Sequence, residues 1–66
     1  MGFGDKVKQV RSELCMTQED IARKLGVSFA TVNRWENNRT VPSPLAVRGF
    51  LDFCNHNNIK FEDEGD

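Results

Sequence analysis

The stretch from Thr17 to Glu36 constrains the fold of this chain most, because it predicts two short helices joined by a tight turn. Thr17 and Asp20 have the spacing of a capping box, in which each side chain accepts a hydrogen bond from the backbone N–H of the other residue. Gly26 suits the left-handed conformation just past a helix end, and Ser28 can cap the next helix. These two helices are expected over about residues 17–25 and 28–37.

The later of these helices has two different faces. Val32 and Trp35 can pack on the helix before it, so the other side chains form an outward stripe. The stripe consists of Phe29, Ala30, Asn33, Arg34 and Asn37. A solvated face would carry Lys and Glu, whereas an aromatic ring, a methyl group, two amides and a guanidinium can contact the edges of DNA bases. The stripe is therefore a candidate DNA-reading surface.

Two further helices are expected to cover this pair. Ser43 and Pro44 suit the N-cap and first position of a fourth helix that runs to about residue 55. Apolar residues at helical spacing predict a first helix over about residues 3–14: Phe3, Val7, Val10 and Leu14. The floor of the core is expected from Leu45, Val47, Phe50, Leu51 and Phe53. The sequence thus predicts an all-α domain over residues 1–57, a compact bundle of four or five short helices with a central helix-turn-helix.

Size and charge narrow the function classes. A chain of 66 residues cannot enclose several catalytic groups in a dry pocket, and no nucleophile with a base, paired carboxylates or phosphate-binding glycine loop can be assembled. We therefore expect no enzyme activity and no cofactor. The net charge is −1, but residues 1–61 carry nine Lys and Arg against six acids, a net of +3. This mild basicity supports a limited number of phosphate contacts.

The remaining features are less specific. Cys15 and Cys54 are expected to be buried thiols, because Cys54 with His56 is too sparse for a metal site. With neither a secretory segment nor an apolar run of membrane-spanning length, a cytoplasmic protein is expected.

Residues 58–66 are expected to form an acidic C-terminal tail. Ile59 and Phe61 alternate with polar residues, which fits either a tail that tucks these two side chains under the fourth helix or a short edge strand that pairs with a second subunit. The tail is the favoured interpretation.

Over about residues 6–53 the chain resembles the Cro and phage-repressor helix-turn-helix domains, often called the XRE type. The residues that carry the resemblance are Thr17, Gln18, Ala22, Gly26, Ser28, Arg34, Trp35, Glu36 and Asn37. Cys15 and Asn38 stand where the family commonly has Gly. Many relatives also have a fifth helix that carries part of the dimer contact, and this chain lacks its pattern. The implied fold is that of the lambda-repressor DNA-binding domain.

The resemblance also implies roles for individual residues. Phe29, Ala30 and Arg34 match base-contacting positions, and Asn33 would contact either adenine or a phosphate. Phosphate contacts are implied for Thr17, Gln18, Ser28, Asn37, Arg39 and Thr40. A structural ion pair between Arg11 and Glu36 would hold the first helix to the end of the third.

The function implied is sequence-specific binding of double-stranded DNA, with the third helix in the major groove. A dimer on a palindromic operator is expected, acting as a transcriptional regulator and more often as a repressor than as an activator. Such a protein would be of bacterial or phage type and associated with the nucleoid when bound. The alternative is a protein-interaction module, in which Phe29 and Ala30 form an apolar patch for a partner. An antitoxin would combine both functions, with the acidic tail as the segment that binds the partner.

Overall fold

The computed structural model describes residues 2–61 and contains four helices. They are α1 (Phe3–Leu14), α2 (Gln18–Leu25), α3 (Phe29–Glu36) and α4 (Pro44–His56). Residues 2–61 contain no strand, so the predicted all-α fold is confirmed. The predicted helices began one residue early at α2, α3 and α4 because they included the N-cap residues.

Local chemistry sets the boundaries of α2 and α3. The Thr17 hydroxyl accepts from the Asp20 N–H, and the Asp20 carboxylate accepts from the Thr17 N–H, both at 3.0 Å. These hydrogen bonds lower the pKa of Asp20. Gly26 ends α2 in the left-handed conformation at φ 72°, and the Ser28 hydroxyl accepts from the Thr31 N–H to start α3. The turn between the two helices therefore forms as the sequence predicts.

The core lies where α1, α2 and α3 meet α4. Its five fully enclosed side chains are Val7, Val10, Ile21, Val32 and Phe50. Trp35 is also buried, and the edge of the Phe3 ring packs against it with ring centroids 5.1 Å apart. The inner face of α3 is therefore fully used in packing, as its spacing predicts.

The floor of the core differs from the prediction. Leu45 is 80% exposed and Leu51 is 38% exposed, so neither contributes as expected. The buried side chains of α4 are instead Phe50 and Cys54, with Phe53 partly buried against the core. These three residues lie on one face of the helix, and a helix that turns this face inward must turn Leu45 and Leu51 outward.

The chain folds back after α4. Asn58 adopts the left-handed conformation at φ 59°, and the Ile59 N–H donates to the Cys54 carbonyl oxygen at 2.9 Å. Ile59 and Phe61 are buried, and the Phe61 ring stacks on Phe50 at a centroid distance of 6.2 Å. The core thus includes two residues of the expected tail, packed without forming a strand. The acidic residues 62–66 lie outside the described residues.

The two cysteines have different environments. Cys54 is buried, and burial raises the pKa of its thiol to about 11. Cys15 is exposed, so the expectation of two buried thiols was wrong. Cys15 ends α1 in the left-handed conformation at φ 56°, where the chain has already turned away from the helix axis.

Candidate nucleic-acid interface

One face of α3 presents side chains without structural partners. Phe29 is 49% exposed, and Ala30 and Arg34 are exposed beside it. Among residues 2–61, no hydrogen bond or ion pair holds the Arg34 guanidinium. Since the opposite face of α3 is buried, this face is a rigid surface that offers an aromatic ring, a methyl group and an unpaired cation.

Asn33 differs from these neighbours, because its side chain is half-buried and bonded on both sides. Its Nδ2 donates to Gln18 Oε1 at 3.2 Å, and its Oδ1 accepts from Asn37 Nδ2 at 3.0 Å. The sequence spacing placed Asn33 in the outward stripe with Arg34, and it could not show that two other amides would hold it.

Gln18 connects Asn33 to a buried ion pair. Its Nε2 donates to Glu36 Oε1 at 2.9 Å, which brings the start of α2 against the end of α3. The Arg11 guanidinium donates to both Glu36 carboxylate oxygens, from Nε at 2.7 Å and from Nη2 at 2.8 Å. We call Arg11, Glu36, Gln18, Asn33 and Asn37 the Glu36 network. It joins three helices.

The network keeps Glu36 ionised. Burial raises the pKa of this carboxyl, but hydrogen bonds from Arg11 and Gln18, together with the positive charges of Arg11 and Lys8, outweigh burial and hold the pKa below its ordinary value. The hydrogen bond between Arg11 and Glu36 also raises the pKa of the Arg11 guanidinium. Arg11 Nη1 also donates to the Met16 carbonyl oxygen at 3.2 Å, so the guanidinium fixes the α1–α2 turn as well.

The other predicted phosphate-contacting residues lie near the start of α2, the start of α3 and the end of α3. Thr17 and Ser28 are exposed, and their hydroxyl oxygens serve as helix caps. Asn37 donates from Nδ2 to the Asn33 carbonyl oxygen and to Asn33 Oδ1. Arg39 and Thr40 are exposed just beyond α3.

Sequence reasoning missed one positioning residue, Gly4. A Cβ atom built on Gly4 would overlap the Trp35 carbonyl oxygen and come within 3.0 Å of Glu36 Cα. Only a glycine lets α1 approach the end of α3 this closely. The sequence did carry a signal, since Gly4 lies inside the predicted first helix. A glycine there lowers helix stability and usually has a packing reason.

Comparisons with known proteins agree with this architecture. A family model described as helix-turn-helix matches residues 7–55. The chain is similar to the type II methyltransferase M1.ScrFI of Lactococcus lactis subsp. cremoris, with 40% identity over 50 residues. That match covers 71% of this chain but 13% of the methyltransferase, so the chain corresponds to a small part of that protein. No solved structure matches the chain. None of the helices in residues 2–61 is both long and apolar enough to cross a membrane.

Proposed function

Since this chain belongs to the XRE-type helix-turn-helix family of DNA-binding domains, we propose that it recognises specific double-stranded DNA sequences with α3 in the major groove. The observation that carries the proposal is the exposed face of α3, where Phe29, Ala30 and an unpaired Arg34 stand opposite a fully buried face. The Phe29 ring is half exposed and the Arg34 guanidinium is unpaired, which leaves both side chains accessible to a partner.

Each side chain suits a different target. Arg34 can donate two hydrogen bonds to guanine O6 and N7, a pairing that discriminates against other bases by about 1–3 kcal/mol. Phe29 and Ala30 have no polar groups, so thymine methyl groups are their natural targets. Asn33 lies beside them but is already hydrogen-bonded within the protein.

Phosphate contacts would orient the domain on the duplex. Gln18 stands at the first position of α2, where the helix dipole and unpaired backbone N–H groups favour an anion. Arg39 follows α3 and supplies a positive charge. The remaining candidates donate through hydroxyl or amide groups: Thr17, Ser28, Asn37 and Thr40. Such contacts set position and orientation without carrying sequence information.

A single α3 covers few base pairs, so a specific complex requires two copies on a two-fold site with half-sites about 34–36 Å apart. Val41, in the connection from α3 to α4, and Leu45, in the first turn of α4, are 92% and 80% exposed and offer apolar surface for the contact between two copies. We propose a homodimeric transcriptional regulator of the bacterial cytoplasm that acts more readily as a repressor, by occupying a palindromic operator.

Selection of bound sites from random duplexes would test the proposal directly. The expected result is a two-fold consensus with a guanine in each half-site, bound in a salt-dependent manner. Arg34→Ala should lower affinity for that consensus about tenfold or more while leaving weak binding to unrelated duplexes. Arg48→Ala is the matched control, since it removes an exposed arginine from α4. Equal losses in the two variants would contradict the role of Arg34.

The similarity to part of a methyltransferase favours a second candidate role. In that role the domain would bind DNA in concert with a methyltransferase, either in the same chain or as a separate regulator. The selected consensus distinguishes the two roles. A site in the promoter of a methyltransferase gene would favour the second role, and sites at unrelated genes would count against it.

A further inference from the structure

The order of donors and acceptors in the Glu36 network is set by one group. A carboxylate can only accept hydrogen bonds, so Glu36 requires the amide nitrogen of Gln18 to face it. The Gln18 oxygen then faces away and accepts from Asn33 Nδ2. In turn Asn33 Oδ1 accepts from Asn37 Nδ2. The charge on Glu36 thus fixes the orientation of the Gln18 and Asn33 amides, while Asn37 Nδ2 bonds both the side chain and the carbonyl oxygen of Asn33.

This polarity determines what the network can offer to a ligand. Each amide nitrogen carries two hydrogens, so Gln18 Nε2 and Asn33 Nδ2 each keep one N–H beyond the bonds within the network. The spare N–H of Gln18 belongs to the first residue of α2, where a phosphate oxygen is the expected acceptor. A bidentate contact with adenine needs a donor and an acceptor from the same amide, and the Asn33 amide is already held in one orientation by Gln18 and Asn37, which restricts how it can meet a base.

We propose that Asn33 is a positioning residue for DNA binding that acts through Gln18, and that it does not read a base itself. By holding Gln18 Oε1, Asn33 locks the Gln18 amide so that its spare N–H is presented to a phosphate at the start of α2. This inference rests on the proposed DNA-binding function and deepens it, because it assigns Asn33 to the phosphate contacts rather than to base recognition.

A double-mutant cycle on the selected duplex tests the coupling. Asn33→Ala and Gln18→Ala should each lower affinity about fivefold, the effect of one hydrogen bond. The double variant should bind no more weakly than Gln18→Ala alone, because Asn33 acts only through Gln18. Gln18→Ala combined with Arg34→Ala is the control, and there the two losses should multiply. Losses that multiply for Asn33 and Gln18 would overturn the proposal.

Base preference gives the second readout. If Asn33 only positions Gln18, Asn33→Ala should weaken binding to the consensus and to all its single-base variants by the same factor. Relaxed preference at one base pair would instead show that Asn33 reads that base, which overturns the proposal while leaving the DNA-binding function intact.

A third measurement needs no DNA. The side-chain amide of Gln18 should be rigid in the native protein and mobile in Asn33→Ala by NMR relaxation, whereas Arg34→Ala should leave it rigid. An equally rigid Gln18 amide in Asn33→Ala would overturn the positioning role. Failure of the unaltered protein to bind any duplex would remove the proposed function, and this outcome is distinct from the three that overturn the role of Asn33.

Discussion

At the scale of single residues, the pair between Arg11 and Glu36 is the interaction on which the most neighbours depend. Glu36 is 4% exposed and accepts from both Arg11 and Gln18. A buried carboxylate that loses its cation is left charged without compensation, and this is more costly than the pair itself is stabilising. Any change at Arg11 should therefore reach the start of α2 through Gln18.

Arg11→Met should destabilise the domain by about 3 kcal/mol, the range typical for breaking a buried pair. For a domain of this size that loss corresponds to a decrease in melting temperature of more than about 10 °C. Thermal unfolding followed by circular dichroism gives the measurement. Arg23→Met is the matched control, because the Arg23 side chain is 75% exposed and 3.7 Å from Asp20. Similar decreases in the two variants would contradict the structural role of Arg11.

The stability of the domain should also depend on pH through Glu36. The folded state lowers the pKa of this carboxyl, so its contribution is fully present above the unfolded value of about 4.3 and is lost as pH falls through the lower folded value. The free energy of unfolding, measured in urea from pH 7 to pH 3, should decrease below about pH 4.3. Asp20 contributes with the same sign.

Glu36→Gln separates the contribution of Glu36 to the pH dependence of stability from that of Asp20. This variant should be less stable at pH 7, since Arg11 loses its counter-ion, and its stability should decrease less between pH 5 and pH 3. An unchanged acid dependence in Glu36→Gln would show that Glu36 does not titrate in the way the network requires.

Arg34 and Asn33 mark the limit of sequence-based prediction at this scale. Helical spacing correctly placed Arg34 on the exposed face of α3. It placed Asn33 on the same face, because periodicity shows which face a residue occupies and carries no information about its hydrogen bonds. The bonds of Asn33 depend on where α2 crosses α3, which is a tertiary feature.

At the scale of helices, the close approach of α1 to α3 depends on Gly4. Alanine is favoured over glycine in a helix by about 1 kcal/mol, so Gly4→Ala would stabilise an isolated α1. In the folded domain the added Cβ would overlap the Trp35 carbonyl, and α1 would have to move away from Trp35 and Glu36. The network would then lose its geometry at Arg11.

Gly4→Ala should therefore destabilise the domain by about 1–3 kcal/mol, the usual cost of overpacking. Gly49→Ala is the matched control, because no atom lies within 4 Å of a Cβ built on Gly49 in α4. This control should be neutral or stabilise by up to about 1 kcal/mol. Urea midpoints of the two variants give the comparison, and a stabilised Gly4→Ala would show that α1 can shift at no cost.

The helices themselves were predictable, but their rotation was not. Capping residues fixed the starts of α2, α3 and α4 because those hydrogen bonds are local in sequence. The inward face of α4 is chosen by contacts with the rest of the chain, and its apolar residues occupy more than one face. Leu45 was therefore assigned to the core although it is exposed, while the burial of Cys54 agreed with expectation.

At the scale of the whole molecule, the core is closed by residues distant in sequence from the exposed face of α3. Ile59 and Phe61 are buried in the core, where Phe61 stacks on Phe50, and Lys6 Nζ lies 5.2 Å from the centroid of the Phe61 ring. The sequence left two arrangements open here because two alternating apolar residues fit both. The observed packing uses Phe61 within the domain, so it is not available as an edge strand for a second subunit.

The proposed dimer should then depend on exposed apolar side chains elsewhere, of which Leu45 in the first turn of α4 is the best placed. Leu45 protrudes beside a cavity of about 230 Å³ that it lines together with Leu25, Val27 and Ala46. A protruding leucine next to an apolar cavity can be self-complementary, since in a two-fold dimer each copy can insert Leu45 into the cavity of the other. Placing a charge at this position would oppose that contact without disturbing the core.

Leu45→Lys should therefore weaken binding to the full palindromic site at least about tenfold while leaving affinity for an isolated half-site unchanged, because only the link between the two half-sites is lost. Titrations of both duplexes, with sedimentation to count the bound copies, give the measurement. Ser12→Lys adds the same charge on the exposed surface of α1 and serves as the control. Equal affinity of Leu45→Lys and the unaltered protein for the full site would exclude this surface from the dimer. The proposed dimer would then have to form through another face of the domain.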